Sequence, residues 1–210
     1  MLKYYFIFIC VVMFSNTETK AQEYESPLKL IKKKPHVMLG IDNRRTHING
    51  KHTVIFGAFT GLNFGEKLRL KIELSGTPFE IGQFDEVSPQ NKFSRLFFIS
   101  LGEEYDFYTI KNFVFTTYAQ VGGGFNYYRF YNPAFIETSR GKLPIFPLEF
   151  GLQSAYLYNS WLRFKVGAGW RFVFPNPTNQ YSGYYIKLGI GIHGRQLKEA
   201  IYKKKNSKIN

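Results

Sequence analysis

Thiol chemistry is almost missing from this sequence. Cys10 is the only cysteine in 210 residues, which excludes a disulfide framework and any metal site built on cysteine. Acidic residues are scarce as well: 15 Asp and Glu stand against 28 Lys and Arg, a formal charge of +13. A surplus of that size points by itself to nucleic acid or an anionic surface. Here, however, many of the basic residues alternate with apolar ones, and that pattern gives them a different role. Long hydrophobic runs are missing too. Residues 4–14 form an apolar stretch, shorter than the roughly 20 residues a membrane-spanning helix needs, and no later segment is longer. If the mature chain spans a bilayer, it must do so as a closed barrel.

The segment MLKYYFIFICVVMFSNTETKAQ reads as a secretory signal. Lys3 supplies the positive start, residues 4–14 the hydrophobic region, and Ala21 a cleavage point before Gln22. Cys10 lies in the middle of the apolar run rather than after it, which argues against a lipoprotein. The expected organisation is a signal peptide over 1–21, a polar lead-in over 22–35, a folded domain over 36–194 and a basic tail over 195–210. The tail carries Arg195, Lys198, Lys203, Lys204, Lys205 and Lys208 against Glu199. It is expected to be solvated, or to meet anionic headgroups or an acidic periplasmic partner.

What the chain has in abundance is aromatic residues, 19% of the total with 22 Phe and 15 Tyr, and strict alternation. In WLRFKVGAGWRF (161–172), Leu162, Phe164, Val166, Trp170 and Phe172 share one parity, and Arg163, Lys165 and Arg171 the other. KLRLKIEL (67–74) sets Leu68, Leu70, Ile72 and Leu74 against Lys67, Arg69, Lys71 and Glu73. Such period-two texture marks strands with two unlike faces. Eight segments carry it or fit it: 36–44, 52–64, 67–74, 94–103, 112–130, 146–158, 161–172 and 184–193. The facing of 94–103 is ambiguous, Pro147 must lie near a strand end or at a bulge, and Asn49-Gly50 signals a two-residue hairpin turn. Links at 63–66 and 159–160 are short, whereas those at 75–93, 130–145 and 174–183 are longer. The link at 104–111 and the short one at 45–51 break this regularity. The expected fold is all-β: an eight-stranded antiparallel up-and-down transmembrane β-barrel.

A lipocalin-like barrel would put the apolar face inside; a membrane barrel puts it outside. Three features favour the second. Gly167 and Gly169 share parity with the charges of their strand, and Gly189 and Gly191 with Lys187 and His193, as a narrow lumen requires. The apolar set, which includes Ile186, Leu188 and Ile190, is too bulky for a small interior. Aromatics gather at strand ends, with Tyr156, Tyr158 and Trp161 at one and Phe172, Phe174, Tyr181 and Tyr184 at the other, as in interfacial girdles. The lipid-facing set is therefore expected to be Leu162, Phe164, Val166, Trp170, Phe172, Ile186, Leu188 and Ile190. A lumen charge network is expected from Asp42, Lys67, Arg69, Lys71, Glu73, Glu149, Arg163, Lys165, Arg171 and Lys187, with Glu104 as a further counter-charge.

The signal ending in Ala21-Gln22, the amphipathic strands and their glycine and aromatic texture together resemble the small outer-membrane β-barrels common in the Bacteroidetes, over roughly residues 36–194. The resemblance implies porin-like architecture, a place in the outer membrane among its lipids, and insertion by the barrel-assembly machinery. Such proteins often end on an aromatic that closes the last strand; this chain instead continues past Gly194 as RQLKEAIYKKKNSKIN.

Catalytic motifs are lacking. GIGIHG (189–194) matches a dinucleotide fingerprint in letters, yet its glycines alternate within a strand and no acid stands about 20 residues further on. VGGGF (121–125) lacks the Gly-Lys-Ser/Thr ending of a phosphate loop. His47 and His52 flank the Asn49-Gly50 turn and can meet across the hairpin, but two histidines make an incomplete metal site. Ser182 and His193 fall near opposite ends of the last strand. The expectation is a non-enzymatic barrel without cofactor, metal or nucleic acid, structural or binding an extracellular ligand or membrane-complex partner through its loops at 75–93 and 131–145. A lipid-modifying barrel enzyme and a soluble periplasmic carrier are the alternatives.

Overall fold

Side-chain alternation of period two yields strands with one wet and one dry face, and a sheet of such strands can hide its edges by closing on itself. The computed structural model describes residues 27–48, 50–65, 67–83, 91–175 and 181–194. The expected signal peptide and basic tail lie outside these residues, as do parts of the links at 75–93 and 174–183.

A short helix α1 (Pro27–Ile31) precedes nine strands: β1 (His36–Ile48), β2 (Lys51–Phe64), β3 (Leu68–Gly76), β4 (Ile81–Gln83), β5 (Asn91–Ile110), β6 (Phe113–Tyr131), β7 (Glu137–Leu157), β8 (Leu162–Phe174) and β9 (Gly183–His193). Eight of them form an antiparallel up-and-down ring. Neighbours in sequence pair, β1 pairs with β9, and β3 pairs with β5 to seal the seam. The three residues of β4 lie beside Lys92–Ser94 of β5, where β3 has already ended.

The turns sort by rim. One rim carries the turn at Gly65 (φ +57°), the two-residue turn at Lys111 between Ile110 and Phe113, and the link from Leu157 to Leu162. The start of β1 and the end of β9 share it. The other rim carries the Gly50 turn (φ +74°), the 77–90 connection, the β6–β7 tip and the link from β8 to β9. Long connections thus gather on one rim, with the Gly50 hairpin the exception.

Two sequence boundaries need correction. The link expected at 104–111 is strand up to Ile110, so β5 runs for 20 residues. The loop expected at 131–145 is mostly the upper arm of β7, whose residues from Glu137 to Ile145 pair with Gly124–Tyr131 with one irregularity at Thr138. Tyr127, Tyr128, Phe130 and Tyr131 explain this, because aromatics on a free hairpin stabilise cross-strand pairs. Pro144 is tolerated in this strand because β7 there has β6 on one side and no β8 partner on the other. Pro147 falls where the β6–β7 ladder skips from Val121–Leu148 to Gly124–Ile145, opposite Gly122 and Gly123. A Cβ on Gly122 would sit 2.6 Å from the Ile99 carbonyl and 3.2 Å from Pro147, so the triple glycine gives room to that irregularity.

The charged face looks inward. On β8, Lys165 is 6% exposed and its neighbour Val166 is 53% exposed. Arg69, Lys71 and Glu73 on β3 are likewise buried while Leu70, Ile72 and Leu74 are exposed. Small residues make this arrangement fit. Tyr118 and Tyr185 lean toward Gly169, and a Cβ there would lie 2.6 and 2.8 Å from their hydroxyls and 2.5 Å from the Phe150 carbonyl.

One end of the interior changes character, and the outer face at the opposite rim is covered. Ile48, Ile55, Ile81, Leu96, Phe98, Ile145, Val173 and Tyr181 form an apolar cluster toward the long-loop rim. Tyr181 is therefore not part of an outer girdle: its hydroxyl points inward and accepts a 2.7 Å hydrogen bond from Asn126. At the short-turn rim Leu30 of α1 packs with Phe64 and Leu68, joined by Tyr105. Leu68 keeps the outward parity of Leu70 and Ile72 but is covered there, because α1 folds over that strand end.

Replacing Gly169 by Val overfills the site and is expected to cost about 1–3 kcal/mol. The readout is the urea midpoint of the detergent-refolded protein. An unchanged midpoint would mean that the two tyrosines move aside freely.

Candidate functional site in the barrel interior

Among the described residues, seven basic and five acidic side chains are buried within the ring: Arg44, Arg69, Lys71, Arg163, Lys165, Arg171 and Lys187, with Asp42, Glu73, Glu104, Asp106 and Glu149. Each takes its position from strand parity, and register brings partners to the same level. Arg69 lies directly opposite Glu104 across the β3–β5 seam, and Glu149 opposite Arg171 across β7–β8.

The network has two linked tiers. Toward the short-turn rim, Arg69 grips Asp106 through both terminal nitrogens, one at 2.7 Å, and Glu104 through Nε at 3.0 Å. Asp106 also accepts from Thr116 at 2.6 Å and meets Arg163 at 3.3 Å. Glu104 lies 2.7 Å from Lys165 and 3.4 Å from Lys71. Lys71 then connects upward to Glu73 at 2.8 Å. In the second tier, Arg44 pairs with Glu73, lies 3.4 Å from Asp42 and 3.3 Å from Glu149. Glu149 accepts from Arg171 at 2.6 Å and from Gln120 at 2.7 Å, while Lys187 pairs with Asp42 at 2.8 Å.

Taking ions out of water costs several kcal/mol each unless their partners are well placed. Here carboxylates are shared between cations, and aromatic faces relieve part of the cationic surplus. Lys71 and Lys165 each lie 5.1 Å from the centre of the buried Phe59 ring, Lys187 is 4.9 Å from Tyr118 and the Arg171 guanidinium 5.4 Å from Tyr185. The apolar cluster toward the long-loop rim closes that end of the network. Its chemistry is cohesion between opposite walls of the barrel.

Other candidate residues are placed as follows. Lys67 precedes β3 and is half-buried at the rim. Phe164, Trp170, Phe172, Ile186, Leu188 and Ile190 are exposed on the outer surface with Val166. Leu162 is half-buried at the start of β8, opposite Ile192. His47 and His52 face one another, their Nε2 atoms 3.1 Å apart, with the Tyr184 hydroxyl 3.3 Å from His47 Nδ1. Among the described residues no group of three or more His, Cys, Asp or Glu converges to hold a metal. Ser182 accepts from the Val173 amide at 3.0 Å. His193 lies 3.5 Å from Asn63 at the far end of β9, roughly 35 Å away at strand rise.

No protein-family model matches the chain, and no curated protein sequence matches it. Solved structures do match. A major outer membrane protein from Thermus thermophilus superimposes with a TM-score of 0.51 at 9% identity, over 75% of this chain and 99% of that one. The fold is that of an outer-membrane β-barrel. Neisserial surface protein A follows with a TM-score of 0.48 at 12% identity, over 75% of this chain and 96% of that one. The N-terminal β-barrel domain of Pseudomonas aeruginosa OprF matches with a TM-score of 0.43 at 15% identity, over 76% and 99%. At such identities the likeness is one of fold alone.

Within this barrel, two network residues escaped the sequence reading. Arg44 shares parity with Asp42, and that signal was available. Asp106 was hidden because residues 104–111 were assigned to a link, where alternation carries no meaning.

Glu104→Gln strips a carboxylate from Arg69, Lys71 and Lys165 at once and is expected to cost about 3–5 kcal/mol. Adding Lys165→Met should recover at least about half of the loss. Urea unfolding followed by tryptophan fluorescence measures both, and strictly additive costs would show that the two groups are uncoupled.

Proposed function

We propose that this chain is a non-enzymatic barrel of the bacterial outer membrane, of the small kind common in the Bacteroidetes. In this reading it is delivered by a cleaved signal over residues 1–21 and inserted by the barrel-assembly machinery. Its interior serves stability, and its long-loop rim faces the exterior and carries its contacts with ligands or membrane partners. The observation that carries the reading is the inverted alternation. Ion pairs fill the inside, while Phe150, Leu152, Phe164, Val166, Trp170, Ile186 and other large apolar residues stand exposed around the outside. An exposed apolar surface of that extent is costly in water and fits a hydrocarbon surround. A soluble carrier needs the opposite facing, with an apolar lumen.

Trp170 provides the test, since the protein has two tryptophans and Trp161→Phe leaves Trp170 as the sole reporter. In bilayers of lipids brominated on their acyl chains, Trp170 fluorescence is expected to be strongly quenched, and the unboiled protein to migrate differently from the boiled one on a denaturing gel. Release from membranes by carbonate, with no quenching, would overturn the membrane reading. In planar bilayers the filled interior predicts no stepwise ion conductance; regular unitary steps would show that the interior opens.

A further inference from the structure

The outward faces of β5, β6 and β7 align in three cross-strand rows. Phe97, Phe125 and Pro144 form the lowest; Arg95, Tyr127 and Lys142 the next; Phe93, Arg129 and Arg140 the third. Successive rows are roughly 7 Å apart, two residues along a strand. Apolar surface therefore gives way to a basic patch within one row, on the outside of the sheet and toward the long-loop rim.

This patch is not flat. The 75–80 segment stands beside it and encloses a cleft of about 1020 Å³. Phe56, Leu74 and Phe97 line its apolar part, and Arg95, Arg129, Arg140 and Lys142 its charged part. Arg95 is fixed in the wall, donating to the Thr77 carbonyl at 3.2 Å and the Pro78 carbonyl at 3.4 Å. Glu80 is the acid in the lining and lies 3.3 Å from Arg129. Arg140 and Lys142 make no ion pair with a carboxylate among the described residues. Lys142 rests 5.2 Å from the centre of the Phe125 ring, so its ammonium sits directly over the start of the apolar belt.

We propose that this cleft binds a phosphorylated, acylated lipid of the leaflet that surrounds it, with the acyl chain on Phe56, Leu74 and Phe97 and the headgroup phosphate held by Arg140 and Lys142. Guanidinium groups form charge-assisted, often bidentate hydrogen bonds to phosphate. Basic side chains next to a bilayer gain further from its anionic surface. A soluble anion would use the cations and leave the apolar floor uncovered; an uncharged lipid would use the floor and leave the cations unpaired. An amphiphile with a phosphate at the polar boundary satisfies both. The inference rests on the membrane reading above.

The test uses the full chain refolded in a neutral detergent, with diphosphorylated lipid A as the probe and its dephosphorylated form as comparison, bound lipid being counted by native mass spectrometry. Arg140→Ala with Lys142→Ala is expected to lower the affinity for the phosphorylated probe at least about tenfold, whereas Lys111→Gln on the opposite rim leaves it unchanged. The dephosphorylated lipid should bind the parent protein and the double variant alike. Inorganic phosphate at millimolar concentration should not displace the lipid. Equal affinity of the parent and the double variant, equal binding of both lipids by the parent, or displacement by inorganic phosphate alone would overturn the proposal. Heat-modifiable mobility and Trp170 quenching of the same preparations separate the two readings. If those hold and the lipid result fails, the cleft alone is reassigned; if those fail, both fall.

Discussion

The contact on which the barrel most depends is the one at its seam. β3 and β5 are not neighbours in the simple order of strands, since the 77–90 connection and β4 intervene. Yet Arg69 and Glu104 face each other across this pairing, and Glu104 also reaches Lys165 on β8 from the opposite wall. One carboxylate therefore ties the closing strand to its partner and to the far side of the ring. A nonpolar interior would fill the same volume with no preference among registers. A one-residue slip of β3 against β5 would turn Arg69, Lys71 and Glu73 outward and leave Glu104 and Asp106 without their cations. Buried ion pairs contribute modest net stability, but here they make every alternative register much worse than the native one.

Polarity also reverses along individual strands. On β5, Ser100, Glu104 and Asp106 point inward while Ile99 and Leu101 point outward; a few residues higher, Leu96 and Phe98 point inward and Arg95 outward. The same crossover occurs inside β8 between Arg171 and Val173, and inside β1 between Arg44 and Ile48. Below that level the barrel is charged within and apolar without. Above it the protein has an ordinary apolar core and a basic, aromatic exterior. In the proposed membrane setting, solvent sets the level of the crossover: where hydrocarbon gives way to headgroups and water outside, the outer face must become polar, and the inner face is then free to become dry.

This crossover accounts for what the sequence disclosed and what it concealed. Strands lying wholly within one regime, such as 67–74 and 161–172, state their facing without ambiguity. SRLFFISLGE spans both regimes, so apolar residues occur at either parity and its facing is undecidable from alternation alone. Tyr181 misled for a related reason: an aromatic near a strand end belongs to an outer girdle only where the outside is lipid, and at its level the interior is apolar too. Asp106 and the upper arm of β7 were concealed differently. They continue strands beyond the length a membrane crossing requires, and nothing in local composition marks where a strand that has already crossed will stop. Leu68 was lost to a tertiary contact, since burial under Leu30 of α1 cannot be read from its own strand.

The unequal strand lengths give the rim its shape. β5, β6 and β7 have 20, 19 and 21 residues, against 13 for β1 and 11 for β9. The ring therefore stands tall on one side and low on the other, and the tall side needs a core of its own where β8 no longer flanks β7. Ile81 of β4 joins Leu96 and Ile145 in that core, which gives the three-residue strand a purpose beyond pairing: it extends the wall beside β5, where β3 has ended, and turns Ile81 inward. On the outer face of the same arms, arginines and lysines stand beside exposed rings. In the proposed membrane setting, a β-sheet that has left the bilayer must meet water on that face or be capped by something amphiphilic, and the step from Phe125 to Tyr127 to Arg129 on β6 has the polarity gradient of a lipid headgroup region.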